Sequence, residues 1–167
     1  MSDYKVSICI PAYENGLYIK RLLESIKNQT YKNYEVILTD DSVENEVLDI
    51  VTDYKDIMVI EYYRNNERLG PTKNCNRAIS LAKGEYIQFL DSDDWITPDA
   101  TKLFVRAATE HDCDLVIADF YRVVGERVSH KGDIEDDGVL TREEFAAHMM
   151  ENPADFYYGV LWNKLYR

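Results

Sequence analysis

Tyr86-Ile87-Gln88-Phe89-Leu90-Asp91-Ser92-Asp93-Asp94-Trp95 decides how this chain is read. A run of five residues, apolar but for Gln88, ends in three carboxylates within four positions. Tyr, Ile and Phe favour strands, and a near-continuous apolar run suits a strand covered on both faces. The acids then fall at the strand's carboxyl end, where open α/β sheets place their ligands. Like charges at this spacing repel, so the cluster is costly unless a cation sits among them. Hard oxygen ligands on a loop suit Mg²⁺ or Mn²⁺, with phosphate completing the shell. A plainer reading stands beside this one. The stretch is also an acidic turn before a helix, with Thr97-Pro98-Asp99 as its N-cap, first-turn proline and acid.

Outward from this stretch, strands and helices alternate. Lys5 to Ile10 reads as a buried strand stopped by Pro11, and Pro11 to Gly16 as a loop. Leu17, Ile19, Leu22, Leu23 and Ile26 then fall on one helical face. Tyr34 to Thr39 is a second strand, ending in Asp40-Asp41-Ser42, and Val47 to Tyr54 marks a helix. Met58 to Tyr63 is a strand, and Cys75, Ala78, Ile79 and Ala82 stripe a helix for which Gly84 is the C-terminal stop. Leu103, Phe104, Ala107 and Ala108 stripe another helix, followed by a strand over Leu115 to Tyr121. This order predicts a mostly parallel α/β sheet in one domain spanning 1–167, with acidic tips on two strands at one edge. Past Tyr121 the spacing suggests a hairpin over Val123 to Val128, a polar loop over Lys131 to Gly138, and a helix opened by the capping box Thr141-Arg142-Glu143-Glu144. The tail from Phe156 to Trp162 has no assigned place.

Composition narrows the function. The 167 residues are 46% hydrophobic, enough for a globular core. Asp and Glu number 31 against 19 Lys and Arg, a net charge of -12, which argues against a nucleic-acid partner. No apolar run approaches the roughly 18 residues of a membrane span. Cys9, Cys75 and Cys113 lack CxxC spacing and read as buried thiols of a reducing compartment. His111, His130 and His148 lack ligand spacing and read as surface residues. No GxGxxG or GxxxxGK[ST] loop follows the first strand, so dinucleotide and P-loop sites are disfavoured.

Three ordered blocks carry a resemblance: Val6 to Asn15, Ser25 to Ser42, and Ala82 to Trp95 with its Asp91-Ser92-Asp93 (DxD) motif. Together they resemble the family 2 glycosyltransferases of the GT-A fold, whose sheet carries helices on both faces. Asn163-Lys164-Leu165-Tyr166 resembles a later segment of bacterial members.

The resemblance implies inverting transfer from a nucleotide sugar, with UDP as the expected carrier, to a saccharide or lipid-linked acceptor, aided by Mn²⁺ or Mg²⁺. It implies surface polysaccharide or glycolipid assembly in the cytoplasm, with the full-length enzyme at the inner face of the membrane. Pro11, Ala12, Tyr13 and Glu14 would form the base and ribose pocket, Tyr13 offering a ring face or merely packing. Asp41 would accept the imino N–H of the base, a charge-assisted bond. Asp40 is read as this site's neighbour or as a helix cap. Asp91, with Ser92 beside it, would lie near the ribose; Asp93 would bind the metal, and Asp94 would support it or cap.

One block departs from the pattern. Members often carry Arg before the position of Asn76; here Cys75 stands there, read as core, and Lys73 is either its substitute at the diphosphate or a solvated residue. The catalytic base is expected beyond Arg167, as in a C-terminally truncated chain that binds donor without transferring it; Glu135-Asp136-Asp137 is the internal alternative. A nucleotidylyltransferase would need a Gly-rich basic loop after the first strand, and an aspartyl-phosphate phosphatase its DxD there. Neither is present. A non-catalytic nucleotide-sugar-binding module remains the alternative.

Overall fold

The computed structural model describes residues 5–131, 138–151 and 159–167. The Glu135-Asp136-Asp137 candidate and the tail residues Phe156 to Tyr158 lie outside the described residues.

The chain runs β1 (Val6–Ala12), α1 (Gly16–Lys27), β2 (Tyr34–Asp40), α2 (Glu46–Thr52), β3 (Ile60–Arg64), α3 (Pro71–Leu81), β4 (Tyr86–Phe89), α4 (Ala100–Glu110), β5 (Leu115–Ile117), β6 (Phe120–Val124), β7 (Arg127–Lys131), α5 (Arg142–Glu151) and β8 (Lys164–Tyr166). Six strands form one sheet in the order β3-β2-β1-β4-β8-β5. β1 pairs in parallel with β2 (Val6↔Tyr34 to Ala12↔Asp40) and with β4 (Val6↔Tyr86 to Cys9↔Phe89). β1 is thus hydrogen-bonded on both edges and covered on both faces. Alternate residues face opposite sides of a strand. Ile8 and Ile10 pack with Ile19, Leu22, Leu23 and Ile26 of α1, whereas Cys9 joins Ala78 of α3 and Phe89 on the other side. Burial on both faces explains the near-continuous apolar runs of β1 and β4, interrupted by Ser7 and Gln88.

Several boundaries differ from the sequence reading, each for a tertiary reason. β1 does not stop at Pro11 but continues to Ala12. Its Cys9 carbonyl accepts from Leu90 on the β4 side and its Ala12 carbonyl from Asp41 on the β2 side. Pro11 therefore faces the β4 side beyond the end of that strand, where no ladder partner needs its missing N–H. The helical stripes are shifted. Leu17 is 78% exposed and Leu103 43%, while Asn74 on α3 and Thr101 on α4 take buried positions among the apolar ones. Only Cys9 of the cysteines is buried; Cys75 and Cys113 are half-buried. α4 starts at Ala100 after Asp99, which makes no side-chain cap, so the Thr97 N-cap is not formed.

β5 ends at Ile117, and the chain then turns into the separate β6–β7 hairpin around Gly125 (φ 60°). The slot between β4 and β5 is filled by β8, antiparallel to both, with Leu165 opposite Gln88 and Val116. The capping box is realised: the Thr141 N–H donates to Glu144 Oε2 at 2.7 Å and the Glu144 N–H to Thr141 Oγ at 3.2 Å.

Gly84 is required for closeness rather than as a left-handed stop. A Cβ there would lie 2.6 Å from the Ser7 nitrogen and 2.8 Å from the Val6 carbonyl carbon. Ser7 Oγ accepts from the Gly84 N–H at 2.8 Å and donates to the buried Glu35 at 2.6 Å, so the approach is fixed by polar contacts. Gly84→Ala is expected to cost about 1–3 kcal/mol of unfolding free energy, the usual penalty for overpacking. Gly138→Ala, where a Cβ meets nothing within 4 Å, is expected to be near neutral. Urea unfolding of the two variants checks the contrast.

Candidate functional site

The parallel order β2-β1-β4 sets three strand tips side by side. The acids after β2 and β4 flank the β1 tip, two strand spacings or roughly 10 Å apart. The juxtaposition expected from the sequence is therefore built by the sheet itself.

At the β1 tip, Ala12 is buried and Pro11 and Tyr13 half-buried. Glu14 (φ 55°) and Asn15 (φ 66°) both adopt the left-handed region. Two consecutive non-glycine residues there are disfavoured by L-residue sterics. The turn is held by Ser42 Oγ, which accepts the Glu14 N–H at 2.6 Å. The Arg68 guanidinium lies 4.0 Å over the Tyr13 ring, a contact that nothing in the sequence spacing suggests.

At the β2 tip the two acids have different neighbours. Asp40 is buried; its Oδ1 accepts the Ser42 N–H at 2.8 Å and its Oδ2 the Tyr62 hydroxyl at 2.6 Å. It closes its own turn and does not cap α2, whose N-cap is Asn45. Asp41 is 6% exposed. Its Oδ2 accepts the Gly70 N–H at 2.8 Å, and its Oδ1 accepts the Leu69 N–H at 3.2 Å and Asn65 Nδ2. A carboxylate oxygen has two acceptor positions, so Oδ2 retains one. Asn65 Nδ2 also donates to Asn74 Oδ1 at 2.8 Å, and Arg77 donates to Asn65 Oδ1. Asn74, buried on α3, donates to the carbonyls of Ala12 (3.2 Å) and Thr39 (3.0 Å). This network was missed from the sequence. Its one visible signal is a polar residue, Asn74, four positions before the buried Ala78 on the apolar stripe of α3.

At the β4 tip, Asp91 and Asp93 are exposed, Ser92 is buried and Asp94 half-buried. The Asp94 N–H donates to the Asp91 carbonyl at 3.1 Å, closing the turn. Desolvation, then the charge of Asp93, raises the Asp91 carboxyl above the usual range. Desolvation pushes Asp94 up to about 6, with Asp93 and Asp91 adding to it and Arg21 opposing. Desolvation is the larger cause of both shifts, and the like charges of the cluster add to it.

Among the described residues no three His, Cys, Asp or Glu side chains close around a cation by themselves. That donor set, hard carboxylate oxygens crowded by like charge, still fits Mg²⁺ or Mn²⁺, which are commonly held by one or two carboxylates with substrate phosphate.

Lys73 is exposed, about 200° around α3 from Cys75 by helix geometry. Cys75 faces the sheet, and burial and the Asp91 charge raise its thiol pKa. Beyond β4, Lys164 is 2% exposed, its amine pushed down to about 8 by burial and donating to the Val160 carbonyl and to Asn163 Oδ1.

Residues 7–158 match the sequence model described as Glycosyl transferase family 2. The chain is 32% identical over 178 residues to EpsH of Bacillus subtilis; the alignment covers all of this chain and 48% of that protein. It is 45% identical over 93 residues, 55% of this chain and 37% of the relative, to the UDP-Glc:alpha-D-GlcNAc-diphosphoundecaprenol beta-1,3-glucosyltransferase WfaP of Escherichia coli. It thus spans about half or less of the length of these relatives. The crystal structure of S. aureus TarS 1-349 in complex with UDP-GlcNAc superposes with a TM-score of 0.79 at 26% identity, covering 98% of this chain and 45% of the 1-349 chain. The alternating sheet with its acidic carboxyl edge, the match over most of the chain and these relatives lead to one conclusion: the chain belongs to glycosyltransferase family 2, with the GT-A fold.

Proposed function

We propose that this chain is the donor-binding part of an inverting glycosyltransferase that takes a UDP-sugar with a divalent cation, Mn²⁺ or Mg²⁺. The observation that carries the reading is the pair of acidic tips on either side of the β1 tip, one satisfied by hydrogen bonds and one crowded by like charge. S. aureus TarS, solved with UDP and with UDP-GlcNAc, and WfaP, named for UDP-Glc, support the choice of nucleotide.

In this reading Pro11, Ala12, Tyr13 and Glu14 line the base and ribose, and the free acceptor position of Asp41 Oδ2 takes the imino N–H of uracil. Asn65, Leu69 and Gly70 hold that carboxylate in place, so no rearrangement is needed for it to discriminate uracil from cytosine. Asp91 and Ser92 lie toward the ribose, and Lys73, solvated on α3, is the outlying contact to the diphosphate. Asp93 is the metal ligand, with Asp91 and Asp94 beside it. The cation, when bound, neutralises charge on the departing diphosphate. The acceptor, a saccharide or lipid-linked saccharide, attacks from the opposite face with a carboxylate base to take its proton. That step and its cytoplasmic, membrane-adjacent setting are proposed for the whole protein.

UDP is expected to raise the melting temperature in Mn²⁺ and much less with chelator, because a native-state ligand stabilises in proportion to the logarithm of its concentration over Kd. Asp93→Asn should abolish the Mn²⁺ dependence without unfolding the chain. Asp41→Ala should erase the preference for UDP over CDP. Equal stabilisation by UDP with and without chelator contradicts the metal assignment.

Asp94 gives a pH test. Its folded pKa of about 6 lies above its ordinary value of 3.8, so the folded state holds the extra proton between these values. Its contribution therefore favours the fold at low pH and is lost as pH rises through 6. Asp94→Asn should raise the melting temperature of the metal-free protein at pH 7.5 by about 2–4 °C. The gain should vanish near pH 4 and shrink when Mn²⁺ is present. Thermal scans at the two pH values check this.

A further inference from the structure

We propose that Arg21 is a positioning residue for the acidic loop, fixing the backbone that presents Asp93 to the cation. The inference rests on the metal-dependent reading above.

The loop from Leu90 to Asp99 crosses α1, which meets it with Arg21 and Ser25, four residues apart, and Gln29 follows just past the end of the helix. Arg21 Nη2 donates to the Asp93 carbonyl at 2.6 Å. Ser25 Oγ accepts the Ile96 N–H at 3.2 Å. Gln29 Nε2 donates to the Thr97 carbonyl at 2.7 Å. Residues at i and i+4 lie above one another on a helix, so Arg21 and Ser25 form a ridge under the loop, which Gln29, its amide also donating to the Ser25 carbonyl at 3.1 Å, extends past the end of α1. Ser25 and Gln29 hold the limb that descends into α4, whereas Arg21 alone of the three reaches the turn that bears the acids.

Two features make this more than a surface contact. The guanidinium lies 3.9 Å over the Trp95 ring, just past the turn, and 5.4 Å from the Tyr18 ring of α1, so one side chain ties the carboxyl end of the turn to the helix. The hydrogen bond goes to the Asp93 carbonyl and not to its carboxylate, which leaves both carboxylate oxygens for a cation. The charge also reaches Asp94, offsetting part of the repulsion among the acids while no metal is there. A cation cannot itself ligate a metal, so it steadies the loop without competing for the site.

The test uses the 167-residue protein, with UDP in Mn²⁺ and uridine as calorimetric probes. Arg21→Ala is expected to raise the Kd for UDP in Mn²⁺ roughly tenfold, as for removal of a group that orients a metal ligand. The Kd for uridine should stay within about twofold, because the base pocket hangs on Asp41 and α3. Arg21→Lys keeps the charge but lacks the planar fork, and should recover less than half of the loss. Trp95→Leu, which removes the stack and leaves Arg21, should weaken UDP binding in Mn²⁺ in the same direction. The proposal is overturned if Arg21→Ala leaves UDP binding in Mn²⁺ unchanged, if uridine and UDP weaken in equal proportion, or if Lys restores binding fully. A wild-type protein that binds UDP equally with Mn²⁺ and with chelator overturns the metal reading itself, a different result from these.

Discussion

The side-chain amide of Asn74 satisfies the backbone where the sheet opens. The Ala12 carbonyl already accepts the Asp41 N–H at 2.9 Å, and a carbonyl oxygen has a second acceptor position to fill. Asn74 Nδ2 donates to the carbonyls of Ala12 and Thr39, one at the end of β1 and one near the end of β2. Its Oδ1 accepts from Asn65, which also reaches Asp41. One buried residue on α3 thus locks the helix, two strand ends and the loop before the helix into one unit. A buried unpaired amide or carbonyl costs on the order of 1–3 kcal/mol, so loss of any member leaves others unsatisfied and the unit stands or falls together.

The β4 tip is built on the opposite principle. Asp41 is surrounded by donors, whereas Asp91 and Asp94 are desolvated beside the Asp93 charge, with the Arg21 guanidinium opposing at Asp94. The first arrangement suits a fixed acceptor that reads a neutral base. The second suits a group whose charge is completed by something brought from outside. The sheet keeps the two apart by a single strand, so one ligand can meet both.

The far side of the sheet is completed late in the chain. Lys164 to Tyr166 enters between β4 and β5, and Asn163 pairs with Ala118 through both its carbonyl (3.0 Å) and its side-chain amide (3.2 Å). Leu165, at 1% exposure, finishes the core that α1 and α4 begin. The strand that carries the acidic tip is thereby clamped on both edges, by β1 and by β8, which gives the exposed loop after it a rigid base.

The sequence by itself determined the alternation of strands and helices, because two-sided burial and helical stripes leave periodic marks in any chain that folds this way. It also determined that acids end two strands, and the sheet places both at one edge as expected. Its local signals failed where a distant partner decides the outcome. Pro11 extends β1 because β4 has already ended; Gly84 is needed because β1 passes too close for a Cβ. The β8 slot, with its neighbours Gln88 and Val116 far earlier in the chain, has no local signature. Asn65, Asn74, Arg68 and the Arg21–Ser25–Gln29 ridge are likewise ordinary polar residues until the fold brings their partners within hydrogen-bond reach. Hydrophobic pattern is a property of neighbours in sequence, and polar satisfaction is a property of neighbours in space; the first could be read from the chain, and the second only from the tertiary structure.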